Sequence, residues 1–195
     1  MGKIIAIACI DNKRGLGKDS KLLFDMPLDK RFFRIITTNN MVIMGRRTFD
    51  SMNRRPLSDR VNVVLTHDAA GLPKLNNLVW LCEETPGIVE WIKHWVTDDK
   101  MDLYIIGGGS VYTQLLPYCD YLYLAEVDAT MEADTFFPEW YVSPETVFYP
   151  IYQIYRGQMW DRRHTRFFNV NVSVYGRDLN EKLPLEYQHE LNACF

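Results

Sequence analysis

The chain has 195 residues, 47% hydrophobic and 24% charged, which suits one globular domain with a substantial core. A net charge of -3 excludes a global field that would hold nucleic acid or an acidic membrane. The longest apolar runs, such as IIAIACI at 4–10, are far too short to span a bilayer.

The run KIIAIACI (3–10) is almost continuously apolar, as a strand buried on both faces should be. No small-residue cleavage site follows it and Asp11-Asn12-Lys13-Arg14 comes at once, so it reads as a strand, not a targeting segment. A loop rich in Gly and Lys (11–21) leads to PLDKRFFRIITT (27–38). There Pro27 suits a first helical turn, and Phe32, Phe33, Ile35 and Ile36 supply an apolar helical face. MVIM (41–44) is a second strand, followed by the short helix RRTFDSM; VNVVL (61–65) and LVWLC (78–82) are the next two strands. An amphipathic helix is expected from Pro86 onward, with Ile88, Trp91, Ile92 and Trp95 on one face. DLYII (102–106) is a fifth strand, GGGSVYTQLL a turn into a helix, and YLYLAEV (121–127) a sixth strand.

The pattern then changes. TVFYPIYQIY (146–155) and RFFNVNVSVYG (166–176) read as an antiparallel pair joined by the polar RGQMWDRRH. Strand–helix alternation followed by a hairpin implies an α/β fold. The expectation is a three-layer αβα domain with a mostly parallel eight-stranded sheet and an antiparallel C-terminal edge. Beyond residue 177, Leu183, Tyr187, Leu191 and Phe195 recur every four residues, a helical stripe. The stripe fits a tail (178–195) packed on its own domain (1–177), or one offered to a partner.

Cys9, Cys82, Cys119 and Cys194 form no CxxC pair, so reduced thiols in a reducing cytoplasm are expected and a disulfide framework is not. The four histidines are scattered, with no HExxH spacing and no Ser-His-Asp set, so metal and nucleophilic chemistry lack support.

Three stretches carry chemistry. Arg46 and Arg47 open a helix, where a cation is misplaced by ~0.3–1 kcal/mol unless an anion sits there. The pair is either a phosphate site or a solvated surface. IIGGGS (105–110) runs a strand through three glycines into a helix. It has neither P-loop nor GxGxxG spacing, and fits either a close backbone–ligand approach or a plain tight turn. Two such βα turns on one sheet favour a long, two-ended ligand such as a dinucleotide. In FDMPLDKRFF (24–33), Asp29 lies one turn before Phe33. A carboxylate there either keeps a raised pKa and binds an amidine-like heterocycle, or simply stabilises the helix dipole.

In order and spacing, the segments IIAIACID, GLG, FDMPLDKRFF, VIMGRRTF, RPLSDRVNVVLT, IIGGGSVY and DTFFP resemble the dihydrofolate reductases, over residues 3 to about 175. The resemblance implies NADPH-dependent reduction of dihydrofolate, with hydride transfer to C6 and protonation of N5, supplying one-carbon metabolism and thymidylate synthesis. Arg46, Arg47 and Thr48 match the family's phosphate-binding helix start, with Arg47 towards the 2′-phosphate. Leu65, Thr66 and His67 would hold the adenosine end. Ala6, Ile7, Gly15, Leu16, Gly45, Ile106, Gly107, Gly108, Gly109, Ser110, Val111 and Tyr112 would line the rest of the cofactor. Asp29 matches the family's pterin-pocket acid, hydrogen-bonded by Thr135. Ile5, Ala6, Phe33, Met52, Leu57, Ile106 and Tyr112 would surround the substrate, and Arg60 would pair with its glutamate α-carboxylate. The loop 14–24 would act as a lid. Phe24 stands beside the reacting rings where many relatives carry Trp, losing an indole N–H. The implied assembly is a monomer or homodimer, with neither nucleic acid nor membrane as partner. The competing readings are another NADPH reductase acting on a riboflavin-pathway pyrimidine, and a non-catalytic protein on the same scaffold. Asp29 with Phe33 and Arg60 argue against the first, and the intact arginines and glycines against the second.

Overall fold

The computed structural model describes residues 2–69, 72–82, 87–98 and 101–195. In chain order the first elements are β1 (Ile4–Ile10), β2 (Gly15–Lys18), β3 (Lys21–Leu22), α1 (Pro27–Thr37), β4 (Met41–Gly45), α2 (Arg46–Ser51), β5 (Val61–Thr66) and β6 (Leu78–Cys82). Then come α3 (Ile88–Asp98), β7 (Leu103–Ile105), α4 (Gly109–Leu115), β8 (Tyr121–Val127), β9 (Thr135–Phe136), β10 (Tyr149–Asp161), β11 (Arg166–Gly176) and α5 (Leu185–Asn192).

Eight strands form the main sheet in the order β10-β11-β8-β1-β7-β4-β5-β6. Pairing is parallel from β8 through β6 and antiparallel where β11 meets β8 and β10. Because successive strand residues face opposite sides, β1 feeds two cores. Ile5 and Ile7 enter one with α1 and the C-terminal tail; Ile4, Ala6, Ala8 and Ile10 enter the other with α3 and α4. That double burial explains the continuous apolar reading of β1, and the two cores make the three layers.

Helix α1 starts on Pro27, whose missing N–H costs nothing in a first turn, and buries Phe32 and Ile36 against the sheet. Phe33 stays partly exposed on the face shared with Asp29. The helix ends where the Thr37 and Thr38 hydroxyls donate back to the carbonyls of Phe33 and Arg34, at 2.7 and 2.6 Å. In α3, Ile92 and Val96 are the buried side chains, whereas Trp95 is 38% exposed and leans on Trp91. The predicted start of that helix at Pro86 lies outside the described residues.

One expectation needs revision. The first hairpin strand runs further than predicted, with β10 extending to Asp161, so all of RGQMWD is strand instead of connector. Its polar residues lie on the exposed side of an edge strand, while Met159 and Asp161 point inward at 1% and 0% exposure. Within the loop 14–24, β2 pairs with β3 and β9 in a separate three-stranded sheet. The tail carries α5, and Leu183, Leu191 and Cys194 are buried in the domain's own core. Among the described residues no helix is long and apolar enough to cross a membrane, and no His/Cys/Asp/Glu cluster could hold a metal ion.

Candidate active site

The parallel strands bring the C-terminal ends of β1, β4 and β7 together, and the two glycine turns meet there. The Gly45 N–H donates to the Gly107 carbonyl at 2.8 Å, which stitches the end of β4 to the turn after β7. A Cβ on Gly45 would lie 3.1 Å from Val111 Cγ2, so the close approach needs glycine. Gly107 has φ +121°, a conformation L side chains rarely adopt. The Thr48 hydroxyl of α2 sits 3.3 Å from where a Gly108 Cβ would be, so α2 and the triple-glycine turn lie side by side. Ser110 is exposed. Tyr112 is buried and its O–H donates to the Ile7 carbonyl at 2.6 Å, tying α4 to β1 under this turn.

The two arginines have different jobs. Arg46 is fixed by Asp50, with Nε 3.1 Å from one carboxylate oxygen, and its guanidinium lies 5.3 Å from the Trp80 ring centre on β6. Asp50, shared by Arg46 and Arg54, has its pKa lowered by those two guanidinium groups against the opposing effect of burial. Arg47 is exposed and makes no ion pair among the described residues. It is the cation available to a ligand. Thr66 ends β5 with its hydroxyl donating to the Asp68 carbonyl at 3.0 Å, and His67 beside it is exposed. Leu65, Val111 and Leu16 are buried, and pack the wall from behind.

On the other side of the cleft stands Asp29. Burial raises its pKa from 3.8 to about 6, partly opposed by the Lys30 ammonium. Its carboxylate accepts no hydrogen bond among the described residues, so both oxygens are available to a ligand. Phe33, Met52, Leu57 and Ile106 are all partly buried and pack against the same hydrophobic core as the buried residues of α1. Burial first, and then the Asp29 charge, push up the pKa of the Cys9 thiol on β1. Burial first, with Asp29 among the nearby charges, raises the pKa of Tyr112. Ile5 and Ala6 are fully enclosed at 0% exposure, and Ile7 is buried at 8%.

Arg60 closes the far end. It is 7% exposed, with Nε donating to the Ser58 carbonyl at 2.8 Å and Nη1 to the Thr37 hydroxyl at 3.0 Å. Burial and the nearby Arg34 lower its pKa, yet a guanidinium stays charged at any ordinary pH. None of the described ion pairs involves it, so two neutral groups hold this fork in place.

One expected hydrogen bond differs. Thr135 does not bond Asp29: its hydroxyl donates at 2.9 Å to the carboxylate of Asp134, which lies within reach one residue away in the chain. Its methyl group instead covers Gly109, 3.5 Å from where a Cβ would lie. Phe24 is 6% exposed and packs edge-on to Phe168 at 5.4 Å and beside His164. The sequence reading missed two buried carboxylates that shape the cleft loops. Asp11 accepts N–H bonds from Lys13, Gly15 and Met131 at 2.7–2.9 Å, which fixes the entry to β2. Asp161 accepts the Asp25 N–H at 2.6 Å and the His164 N–H at 2.8 Å, which anchors the approach to α1. An Asp at a strand end was the available signal for both; neither has a motif around it.

The fold and site define an α/β enzyme whose cleft pairs an anion-ready glycine turn with a lone carboxylate in apolar surroundings. A family model described as dihydrofolate reductase matches residues 3–147. The chain is 36% identical over 139 residues to the dihydrofolate reductase type 3 of Salmonella typhimurium, covering 70% of this chain and 79% of that one. It is 34% identical over 163 residues to a bifunctional dihydrofolate reductase-thymidylate synthase of Daucus carota, covering 76% of this chain but only 30% of that larger protein. A solved dihydrofolate reductase from Enterococcus faecalis, complexed with NADP(H) and RAB-propyl, superimposes with TM-score 0.74 at 29% identity. That match covers 90% of this chain and 96% of the other. The chain belongs to the dihydrofolate reductase family.

Proposed function

We propose the following division of labour for the reduction of dihydrofolate by NADPH, the reaction of this family. Asp29 binds the pterin through its 2-amino group and N3, the donor pair that a planar carboxylate matches. Its raised pKa leaves it ionised at neutral pH but close enough to titration to favour a proton at N5. Phe33, Met52, Leu57 and Ile106 flank the ring system and exclude water from it. Arg60, held by Ser58 and Thr37, pairs with the glutamate α-carboxylate at the far end.

NADPH, when bound, supplies the hydride to C6. Residues present here fit that cofactor: Arg47 for the 2′-phosphate, Thr48 and the Gly107–Gly109 turn for the phosphates, Thr66 and His67 for the adenosine end. The β2–β3–β9 sheet covers one side, held by the Asp19 N–H on Asp134 at 2.8 Å. The free cysteines support a reducing cytoplasm, and burial of the tail's apolar residues in their own domain supports action as a single copy.

The observation that carries this reading is the Asp29 carboxylate, which accepts no hydrogen bond among the described residues, has its pKa raised to about 6 by burial, and lies one helical turn before the partly buried Phe33. Isotope transfer tests it. Protein incubated with NADPH deuterated at C4 and with dihydrofolate should place the label at C6 of tetrahydrofolate, read by mass spectrometry. Cofactor binding without label transfer would contradict it.

A further inference from the structure

We infer that Phe195 is a positioning residue for the substrate helix: it wedges α1 from the side away from the cleft and so sets where Asp29 and Phe33 stand. This rests on the reading of α1 as the helix that binds the pterin. The tail that delivers Phe195 lies wholly beyond the 3–147 span of the family model, and the assigned site does not use it.

The tail is fastened along its length. The Arg177 guanidinium donates to the carbonyls of Leu116, Pro117, Cys119 and Glu145 at 2.6–3.0 Å. Glu181 accepts the Tyr121 hydroxyl at 2.8 Å. Helix α5 then crosses the layer that holds α1. The Tyr187 O–H donates to Asp102 at 3.0 Å, and the Tyr152 O–H of β10 to Asn192 at 3.0 Å. Leu191 and Cys194 are buried at 1% and 0% exposure. The chain therefore reaches Phe195 with little freedom left.

The Phe195 ring stacks on Tyr155 of β10, with centroids 4.8 Å apart and planes 20° apart. Its other neighbour is Phe32 of α1, at 5.2 Å and 32°. Phe32 is itself 2% exposed and immediately precedes Phe33. Successive helical side chains diverge by about 100°, so pressure on Phe32 is transmitted to the neighbouring cleft face, where Phe33 and Asp29 lie one turn apart. The N-cap Met26 of α1 supplies no side-chain cap, so lateral packing has more to do in fixing this helix. The Phe32–Phe195–Tyr155 sandwich ties α1 to the sheet edge through a residue the cleft never touches.

The test uses the full chain with Phe195→Ala, Phe195→Leu and Phe195→Tyr. Phe195 is 37% exposed, so the truncations should leave a folded protein. Phe195→Ala is expected to raise KM for dihydrofolate about tenfold, since small misplacements of a binding surface are costly. NADPH binding, on the opposite wall, should stay within about twofold of wild type, and Phe195→Tyr, which keeps the stacked ring, should restore KM. Phe195→Leu fills the space without a stack, should give a smaller rise, and serves as the reading should the alanine variant not fold. An unchanged KM with only a lower Tm would make Phe195 a stability residue and overturn the inference. Wild-type turnover of dihydrofolate is the internal control: its absence would overturn the reading of the site, whereas normal wild-type turnover with indifferent variants would overturn the inference alone.

Discussion

Replacing Asp29 by Asn should make the protein more stable at neutral pH while it becomes a poorer enzyme. The carboxyl is held at about 6, against an ordinary 3.8, mainly because its charged form is desolvated. The folded state therefore binds a proton more tightly than the unfolded chain. Between about pH 4 and pH 6 the folded protein holds more protons, so stability falls as pH rises through that window. Above pH 6 the full penalty of the buried charge is present. At 1.36 kcal/mol per pKa unit, the difference between 3.8 and about 6 comes to as much as ~3 kcal/mol. Asn has nearly the same shape and no charge, so Asp29→Asn removes the penalty and its pH dependence together. Urea unfolding of both proteins from pH 4 to pH 8 measures this. The gap should be small near pH 4 and widest above pH 7, in favour of the variant. A variant equal to or weaker than wild type at pH 8, with the same pH slope, would refute the claim that desolvation tunes this carboxyl.

Other outcomes follow from the two walls of the cleft. Arg47→Ala should weaken NADPH by roughly 10–100-fold, the worth of a charge-assisted phosphate contact, and leave NADH nearly unchanged in a fluorescence titration; equal losses would remove the 2′-phosphate contact. Arg46→Ala should act differently, because Arg46 is already spent on Asp50 and Trp80, lowering Tm with a smaller effect on cofactor preference. Arg60→Ala should raise KM for dihydrofolate at least about tenfold, but barely change KM for a dihydropteroate that lacks the glutamate. Gly107→Ala places a Cβ at φ +121°, and should cost about 1–3 kcal/mol in thermal unfolding and abolish tight NADPH binding.

Strand–helix alternation made the fold class legible because each parallel strand is buried on both faces and leaves an apolar run of fixed length. The hairpin was less so: β10 lies at a sheet edge, so its outer face carries Gln153, Arg156 and Gln158, which resemble a loop in sequence. The glycine turn was readable because only glycine tolerates the backbone at Gly107. The arginine pair was readable as a pair but not as two roles. Asp50 four residues after Arg46 is a local signal, whereas Trp80 reaches Arg46 from another strand. Thr135 donates to its neighbour Asp134, a local alternative that the resemblance did not suggest. Asp11 and Asp161 gather N–H groups from 120 and 136 residues away in the chain, a distance over which sequence pattern carries no information.

Single-turnover hydride transfer from NADPH to dihydrofolate, followed against pH for wild type and Asp29→Asn, tests the central claim most directly. The account predicts a wild-type rate that falls as pH rises through about 6, where Asp29 loses its proton, and a variant that is slower throughout and lacks that inflection. A variant with the wild-type rate and the wild-type pH profile would show that this carboxylate does not govern the proton at N5.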